Sequence, residues 1–312
     1  MPKISLIIPV YKVEEFLPAC LDSVLGQTFT DWEAICVDDG SPDNCGKILA
    51  KYAKKDKRIK VITQKNRGVS AARNKALRQA RGNYICFLDS DDELAPTFLK
   101  NMYQLIIPDN IGIVSCASQQ GKHKGNWGKT SSQVQTYKNP FKTYMEGSLK
   151  MDASIWGKLY KKEVLKGLQF SKETGIGEDL VFLYKALYQT SQVIHTPEQL
   201  YFYRIRENSA VNSGLSERVI FGNIKTAELL SDYFKNKKLS SKTRKILNQK
   251  IAKRIFKFAV LEPKRKDRNN LNKWYGLTRP LLFRLKQTEV YQPKHLTLKN
   301  QLKSWIFLKG KK

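Results

Sequence analysis

Short apolar runs alternate with helical patterns through the first 118 residues, and this alternation constrains the fold more than any other feature. A strand–helix–strand order repeated in this way predicts a parallel sheet with helices on both faces. The predicted strands are Ile4–Val10, Trp32–Val37, Ile59–Thr63, Tyr84–Leu88 and Ile111–Cys116, and the predicted helices are Phe16–Leu25, Gly46–Tyr52, Ser70–Ala80 and Thr97–Ile107. We therefore expect an α/β fold on a mostly parallel, twisted sheet flanked by helices.

Polar residues follow three of the predicted strands. Tyr11 follows the first, residues 38–41 follow the second and residues 89–92 follow the fourth. In an open α/β sheet, ligands bind at the carboxyl ends of the strands. These three segments are therefore expected to face one crevice. By contrast, the polar stretch from Ser118 to Tyr137 is typical of a loop.

Four carboxylates, those of Asp89, Asp91, Asp92 and Glu93, crowd directly after the fourth strand. Because like charges repel, a folded protein keeps such a cluster mainly where a cation compensates it. The D-x-D spacing places Asp89 and Asp91 on one side of an extended segment, where their oxygen atoms can hold Mg²⁺ or Mn²⁺. The alternative is a solvated acidic turn that caps the helix starting near Pro96.

Three other segments have a functional and an ordinary interpretation. The pair Asp38-Asp39 can accept hydrogen bonds from a nucleobase or ribose, or can belong to an Asp-Gly turn. Arg73, about one turn into a helix, suits a diphosphate, although most such segments are only well-capped helices. Glu178 and Asp179 open a helix, where the helix dipole favours acids, and either carboxylate can equally serve as a general base.

Taken together, these segments resemble glycosyltransferase family 2, the inverting enzymes of the GT-A fold. The segments that match in order are Ser5–Tyr11, Val37–Ser41, Leu88–Asp92 and Gly177–Asp179, with further likeness at Ser23–Thr28, Gly68–Asn74 and Trp156–Tyr160. The resemblance implies a GT-A catalytic domain over residues 1–215. The pattern of residues 216–312, which the resemblance does not cover, predicts a basic helical region.

The resemblance also implies a role for each matching position. The residues expected at the donor nucleotide are Pro9, Val10, Tyr11, Glu14, Asp38, Asp39, Arg73, Ser90, Asp91, Arg206 and Ser209. A divalent cation, Mn²⁺ or Mg²⁺, would bind Asp91 directly, with Asp89 and Asp92 as the other metal residues. Asp179, beside Glu178, would be the catalytic base. A single displacement needs no covalent nucleophile, and the sequence shows no evident Ser-His or Cys-His arrangement.

The charge of the chain is concentrated in its last third. Residues 235–312 hold 24 lysines and arginines against 3 acidic residues, whereas residues 1–118 hold 16 against 14. A basic helical region of this kind favours the anionic inner face of the cytoplasmic membrane. The apolar residues expected to insert there are Leu302, Trp305, Ile306 and Phe307. The alternative is a helical cap whose apolar stripe packs on the catalytic domain.

The N-terminal apolar run is too short for a signal peptide or a spanning helix, so we expect a cytoplasmic, peripheral protein. The predicted activity is transfer of a sugar from a nucleotide-diphosphate donor, with a UDP-sugar expected, to a hydroxyl of a glycan or lipid-linked acceptor. The expected product class is a bacterial surface polysaccharide such as lipopolysaccharide or capsule.

Two rival functions remain open from the sequence. A nucleic-acid-binding protein would explain the basic region, but the charge lies outside the segment with the acidic motifs, so no nucleic-acid partner is expected. A catalytically inactive sugar-nucleotide module would keep the fold without the chemistry. The presence of Asp89, Asp91 and Asp179 together argues against it.

Overall fold

The computed structural model describes residues 1–127, 133–206, 216–267, 270–287 and 290–309. The chain forms two compact units. The first consists of Met1–Lys172 and Phe182–Glu207, and the second of Glu173–Val181 and Asn208–Lys312. The second unit thus takes one short segment from within the predicted catalytic domain, and the predicted boundary at residue 215 stays a prediction.

The first unit contains the sheet. Within the described residues its strands are β1 (Ile4–Val10), β2 (Trp32–Asp38), β3 (Ile59–Thr63), β4 (Tyr84–Phe87), β5 (Glu93–Leu94), β6 (Ile111–Gly121), β7 (Gln135–Lys138), β8 (Lys158–Lys161) and β9 (Gln192–Arg204). They lie in the order β3-β2-β1-β4-β8-β6-β9-β5, and β7 pairs with β9. The helices are α1 (Leu17–Leu25), α2 (Cys45–Lys55), α3 (Val69–Gln79), α4 (Phe98–Ile106), α5 (Pro140–Met145) and α6 (Glu178–Gln189), whose first turn lies in the second unit.

The expected α/β class, with a central sheet flanked by helices, is confirmed. The strands β1, β2, β3 and β4 are parallel neighbours, and β1 and β2 are buried along their whole length, as central parallel strands require. The sheet is mixed beyond β4, because β8 enters between β4 and β6 and runs antiparallel to both. This arrangement places the carboxyl end of β4 near the middle of the sheet.

The buried carboxylate of Glu33 links β2 to β1, to β3 and to the residues that follow α3. Glu33 of β2 accepts hydrogen bonds from Ser5 Oγ at 2.7 Å, from Arg81 N at 2.8 Å and from Lys60 Nζ at 2.5 Å. Burial by itself would raise the pKa of Glu33, but these donors outweigh it and lower that pKa to about 2. The ionised carboxylate therefore contributes to the stability of this part of the sheet.

The loop predicted over Ser118–Tyr137 is wrong at both ends. Strand β6 continues to Gly121 and pairs with β9, and β7 begins at Gln135. The polar composition misled the interpretation, because β6 is buried only as far as Cys116 and is half exposed beyond it. Residues 128–132 of this stretch lie outside the described residues.

The second unit is helical over its described C-terminal part. Its helices there are α7 (Glu217–Phe234), α8 (Ser241–Phe256), α9 (Glu262–Lys266), α10 (Leu271–Gln287) and α11 (Leu298–Lys309). Ser216 and Ser240 cap α7 and α8, since each hydroxyl accepts a hydrogen bond from a backbone N–H three residues later. Among the described residues no helix is both long and apolar enough to cross a bilayer.

The expected membrane insertion of Phe307 is wrong. Its side chain is only 6% exposed and packs edge-to-face on Tyr275, with ring centroids 4.9 Å apart. A ring already buried within its own unit is not available to a bilayer. The side chains of the other predicted insertion residues, Leu302, Trp305 and Ile306, lie outside the described part of the chain.

Candidate active site

The acidic segment leaves the sheet at the carboxyl end of β4. Leu88 N donates to Ile7 O at 3.1 Å, which extends the pairing with β1 by one residue. The chain then turns at once, since Asp92 N donates to Asp89 O at 3.0 Å. We call residues 89–93 the acidic loop. Its position is the one that the parallel strands predicted for a ligand site.

Asp92 anchors the acidic loop to β9. Its Oδ2 accepts a hydrogen bond from Tyr201 Oη at 2.6 Å, and its Oδ1 accepts one from Arg204 N at 2.8 Å. The carboxyl group is 1% exposed. Burial, followed by the charges of Asp91 and Asp89, raises its pKa well above the ordinary value. Both oxygen atoms of Asp92 are therefore engaged by the protein, which suits an anchor better than a metal ligand.

Two arginines pair with the two outer carboxylates of the D-x-D segment. Arg73 of α3 lies 2.8 Å from Asp89 Oδ1, and Arg206 lies 2.6 Å from Asp91 Oδ2. Burial and the charge of Asp89 raise the pKa of Asp91. The structure thus brings Arg73, Asp89, Asp91 and Arg206 together, and their roles at the donor and the metal stay predictions.

Two further cationic side chains form ion pairs with Glu93, at the end of the acidic loop. Glu93 is paired with Arg204 at 2.6 Å and also with Lys124. Arg204 additionally donates from Nε to Asp91 O at 3.0 Å. The compensation expected for the acidic cluster is therefore supplied, in this structure, by side chains of the protein. Ser90, in the middle of the loop, is buried.

The acidic loop offers oxygen ligands of the kind that Mg²⁺ and Mn²⁺ prefer. Within the described residues no group of three or more histidine, cysteine or acidic side chains is arranged to hold a metal by itself. Cations that bind phosphates commonly take only one or two protein carboxylates and complete their coordination with phosphate and water. Asp91 and Asp89, both half-buried and two residues apart, fit that pattern.

Asp39 fixes the segment that follows β3. Its carboxylate accepts hydrogen bonds from Gln64 Nε2 at 2.7 Å, Arg67 N at 2.9 Å and Gly68 N at 2.8 Å. A carboxylate has about four acceptor positions, so these three donors leave one of them unused. The predicted contact with a nucleobase is thus compatible with a second, structural role.

The Asp38–Ser41 turn is held by a hydrogen bond between a side chain and the backbone. Asp38 Oδ1 accepts a hydrogen bond from Ser41 N at 2.9 Å. Gly40 has φ +70°, and a Cβ there would lie 3.0 Å from Asn66 N and 3.1 Å from Gln64 O. Glycine is therefore required at this position on grounds of both conformation and space.

The ring of Tyr11, directly after β1, is exposed to solvent. Pro9 and Val10 are buried in the sheet, whereas Tyr11 is 40% exposed, with the Lys12 ammonium 5.5 Å from its ring centre. Glu14, also predicted at the nucleotide, accepts hydrogen bonds from Asn44 N at 2.8 Å and from Asn44 Nδ2 at 2.7 Å. Of Pro9, Val10 and Tyr11, it is therefore Tyr11 that a ligand can reach.

The predicted base lies in the second unit, in the first turn of α6. Gly177, which precedes Glu178 and Asp179, has φ +89°, and a Cβ there would lie 2.5 Å from Thr226 Oγ1. Thr226 of α7 in turn donates to Ile176 O at 3.0 Å. The segment that carries the two acids is therefore packed directly on α7. Ser209, predicted at the donor, lies outside the described residues.

The structure contains a Ser-His pair that the sequence did not predict. Ser115 and His195 face each other on β6 and β9, with Oγ and Nδ1 2.9 Å apart. Ser115 is fully buried, so its hydroxyl is not open to a substrate. Burial, with the nearby Lys158 ammonium, lowers the pKa of His195. This pair is a structural contact between neighbouring strands.

Sequence reasoning also missed Tyr201 and Lys124 as partners of the acidic loop. Tyr201 is stacked on Trp156, with ring centroids 4.6 Å apart, and Trp156 also stacks on Tyr203 at 5.4 Å. The signal that was available is the alternation of Tyr201 and Tyr203 along β9, which places both rings on one face of the strand. No feature of the sequence singles out Lys124.

A cavity of about 900 Å³ lies away from the acidic loop. It is lined by residues at the amino end of β4 and the carboxyl end of β8, including Tyr84, Lys161 and Lys162. Lys161 and Lys162 donate their ammonium hydrogen atoms to backbone carbonyls. The acidic loop, with its charged and buried side chains, is therefore a better candidate for the chemistry than this more open space.

The chain is similar to known proteins over most of its length. EpsJ of Bacillus subtilis, an uncharacterized glycosyltransferase, is 35% identical over 225 residues, which span 67% of this chain and 63% of that protein's own length. Staphylococcus aureus TarS residues 1–349, solved with UDP-GlcNAc, superimposes with a TM-score of 0.73 at 21% identity and covers 94% of this chain and 82% of that one.

A second solved structure shares the fold. The mannosyltransferase PcManGT of Pyrobaculum calidifontis, solved with GDP-Man and Mn²⁺, has a TM-score of 0.58 at 17% identity and covers 98% of this chain and 84% of that one. The model of the family described as glycosyl transferase family 2 matches residues 5–168, which include β1 from its second residue onward, the Asp38–Ser41 turn and the acidic loop. This chain therefore belongs to glycosyltransferase family 2.

Proposed function

We propose that this chain is an inverting transferase that moves a sugar from a nucleotide-diphosphate donor, with UDP as the expected nucleotide, to a hydroxyl of a glycan or lipid-linked acceptor. The observation that carries the proposal is the acidic loop at the carboxyl end of β4, where Arg73 and Arg206 converge on Asp89 and Asp91. Family membership and the likeness to structures solved with UDP-GlcNAc and with GDP-Man support a donor of this class.

The donor nucleotide would lie across the ends of β1, β2 and β4. Tyr11 offers an exposed ring for the nucleobase, and Asp39 keeps one acceptor position for a base or ribose hydrogen. Arg73 lies in the first turns of α3, so its guanidinium and the helix N-terminus both favour a diphosphate. These groups bind and orient the donor before any bond changes.

Asp91 and Asp89 would hold a divalent cation, Mn²⁺ or Mg²⁺, together with the donor diphosphate. The cation supplies neutralisation of the charge that develops on the departing nucleotide. Asp92 then has a different task, since its bonds to Tyr201 and Arg204 fix the backbone from which Asp89 and Asp91 project. A rigid loop is needed because displaced ligands lose much of the benefit of orientation.

Asp179 is proposed as the base that removes the acceptor proton, with Glu178 beside it. A base that acts opposite the leaving group permits a single in-line displacement, which inverts the anomeric centre. The support is its place in the Gly177–Asp179 segment that resembles the family. General-base catalysis typically contributes about 10²- to 10⁴-fold.

Synthesis of a bacterial surface polysaccharide is the proposed setting. It is supported by the bacterial glycosyltransferases to which the chain is similar. The 24 basic residues of the 235–312 region support attachment to the inner face of the cytoplasmic membrane. With Phe307 buried, that attachment is proposed to be electrostatic.

The test is a panel of nucleotide sugars assayed for hydrolysis and transfer with Mn²⁺ or with EDTA. We expect turnover of one donor that requires the cation and falls at least about 100-fold in Asp91→Ala and in Asp179→Asn. Asp109→Asn, on the loop before β6, is the matched control and is expected to retain wild-type turnover. If the wild-type protein neither binds nor turns over any donor, even with a lipid acceptor extract, the proposed chemistry is wrong.

A further inference from the structure

A second concave surface in the first unit is lined by cations. This cavity, of about 370 Å³, lies between the end of β3, the Arg67 loop, α3 and the segment that ends at Lys172. Among the described residues that line it, none is acidic. We call it the basic cavity, and its cationic residues are Lys65, Arg67, Lys75, Arg78 and Lys172.

The walls of the basic cavity are fixed by buried polar contacts. Ala71, Asn74, Lys75 and Arg78 fall at helical spacing on one face of α3. Asn74 is buried and exchanges two hydrogen bonds with the backbone of Phe170, each 2.8 Å long. These bonds join α3 to the segment that leads to Lys172.

The edge nearest β3 is fixed in the same way. Gln64 donates to Asp39 from its side chain, and Arg67 donates to the same carboxylate from its backbone N–H. The backbone of Arg67 is therefore anchored, while its side chain remains exposed. The cavity has a preformed frame on both sides.

The cations of the basic cavity lack partners of opposite charge. Within the described part of the chain, Lys65, Arg67, Arg78 and Lys172 form no ion pair, and Lys75 Nζ makes only a long contact of 3.4 Å with Thr63 O. Elsewhere in the unit, lysines and arginines close to a carboxylate pair with it, as Lys60 and Arg81 do. Five like charges around one concavity create a positive potential that attracts a polyanion.

We propose that the basic cavity binds phosphate groups of an anionic ligand, at a site separate from the donor diphosphate. Arginine forks match phosphate oxygens in pairs and lysines add mobile point charges, so the mixture suits phosphate. The volume is at the lower end of ligand sites, which fits one or two phosphate groups with their linkage. The phosphates can belong to a soluble phosphorylated chain or to a lipid headgroup.

The test measures binding of inorganic tripolyphosphate to the full chain by calorimetry in EDTA. The test variants are Lys75→Glu/Arg78→Glu and, outside α3, Lys172→Glu. The control is Lys51→Glu/Lys54→Glu, which reverses two exposed lysines at the same three-residue spacing on α2. We expect affinity to fall at least about tenfold in the double variant and several-fold in Lys172→Glu, with the control within about twofold of wild type.

Two further measurements identify the source of the phosphate. Co-sedimentation with phosphatidylglycerol vesicles that falls in the cavity variants but not in the control would identify a lipid headgroup. Loss of tripolyphosphate binding with unchanged co-sedimentation would identify a soluble phosphorylated chain. Either result supports the proposal.

Binding of UDP with Mn²⁺ is measured in parallel and is expected to be unchanged in the cavity variants. If UDP affinity falls together with tripolyphosphate affinity, the cavity belongs to the donor site and the proposal is wrong. Equal losses in the control, or no loss in the cavity variants, would overturn it as well. A wild-type chain that binds tripolyphosphate through the cavity but never binds UDP would instead refute the proposed transferase function alone.

Discussion

Replacing Tyr201 with phenylalanine would test whether Asp92 anchors the acidic loop. The Tyr201 hydroxyl donates to Asp92 Oδ2 at 2.6 Å and accepts from Asp89 N at 3.4 Å, and Tyr201 is fully buried. Tyr201→Phe keeps the ring that stacks on Trp156 and removes both bonds. Hydrogen bonds to charged groups contribute about 1.5–3 kcal/mol, so we expect the free energy of unfolding to fall by about that amount at a pH where Asp92 is ionised.

The loss should depend on pH in a definite direction. Because the pKa of Asp92 is raised in the folded protein, this carboxyl favours folding most when protonated, and its contribution is lost as pH rises through the folded pKa. The Tyr201 hydroxyl favours the ionised form and limits that loss. Without it, the deficit of the variant should be smallest at low pH, where Asp92 is protonated in both proteins, and should grow as pH rises.

Urea denaturation of both proteins at several pH values measures this deficit. Tyr203→Phe is a matched control, because Tyr203 lies two residues away on the same strand and also stacks on Trp156, but its hydroxyl has no hydrogen-bond partner among the described residues. We expect Tyr203→Phe to change stability by no more than about 0.5 kcal/mol. If the two variants are equally stable, or if the deficit of Tyr201→Phe shrinks as pH rises, the anchoring argument is refuted.

Three further predictions concern packing and charge. Gly40→Ala should lower the thermal midpoint and weaken nucleotide binding, because it forces a left-handed backbone on alanine at about 1–2 kcal/mol and places a methyl group against Asn66 N. The wild-type protein should lose stability as pH falls from about 4.5 to about 2, because the pKa of Glu33 is lowered to about 2 and its carboxylate stabilises the fold only when ionised. In Glu33→Gln this pH-dependent loss should be smaller, which acid titration followed by circular dichroism measures. Gly222→Ala should loosen the Glu173–Val181 segment, because its Cβ would lie 2.0 Å from Thr174 O; proteolysis within that segment reports it, and unchanged cleavage would contradict it.

The central strands were predictable because their burial leaves a continuous apolar run. The predicted ends of β1 and β3 coincide with the observed ones, and β2 extends by one residue. The short strands β7 and β8 were not recognised. Each is four residues long and contains lysine, and its pairing depends on neighbours far away in sequence. Periodicity within a short window contains no information about those partners.

The candidate site divides in the same way. The acidic loop itself is local, so its carboxylates and its place at a strand end could be read directly. The anchor is not local, because Tyr201 and Asp92 are 109 residues apart and meet only through the pairing of β5 with β9. Asp92 was therefore predicted as a metal residue when its oxygen atoms are already engaged by Tyr201 and Arg204.

The arginines around the acidic loop bear on how the site would change when a donor binds. Asp91 is paired with Arg206, and two negative charges so close to each other are tolerated because a cation lies beside each. A divalent cation bound together with a diphosphate would give Asp91 a stronger partner, and Arg206 could then face phosphate oxygens, for which a guanidinium is equally suited. The same arginines would thus stabilise the loop by their ion pairs with Asp89 and Asp91 and then contribute to binding of the donor.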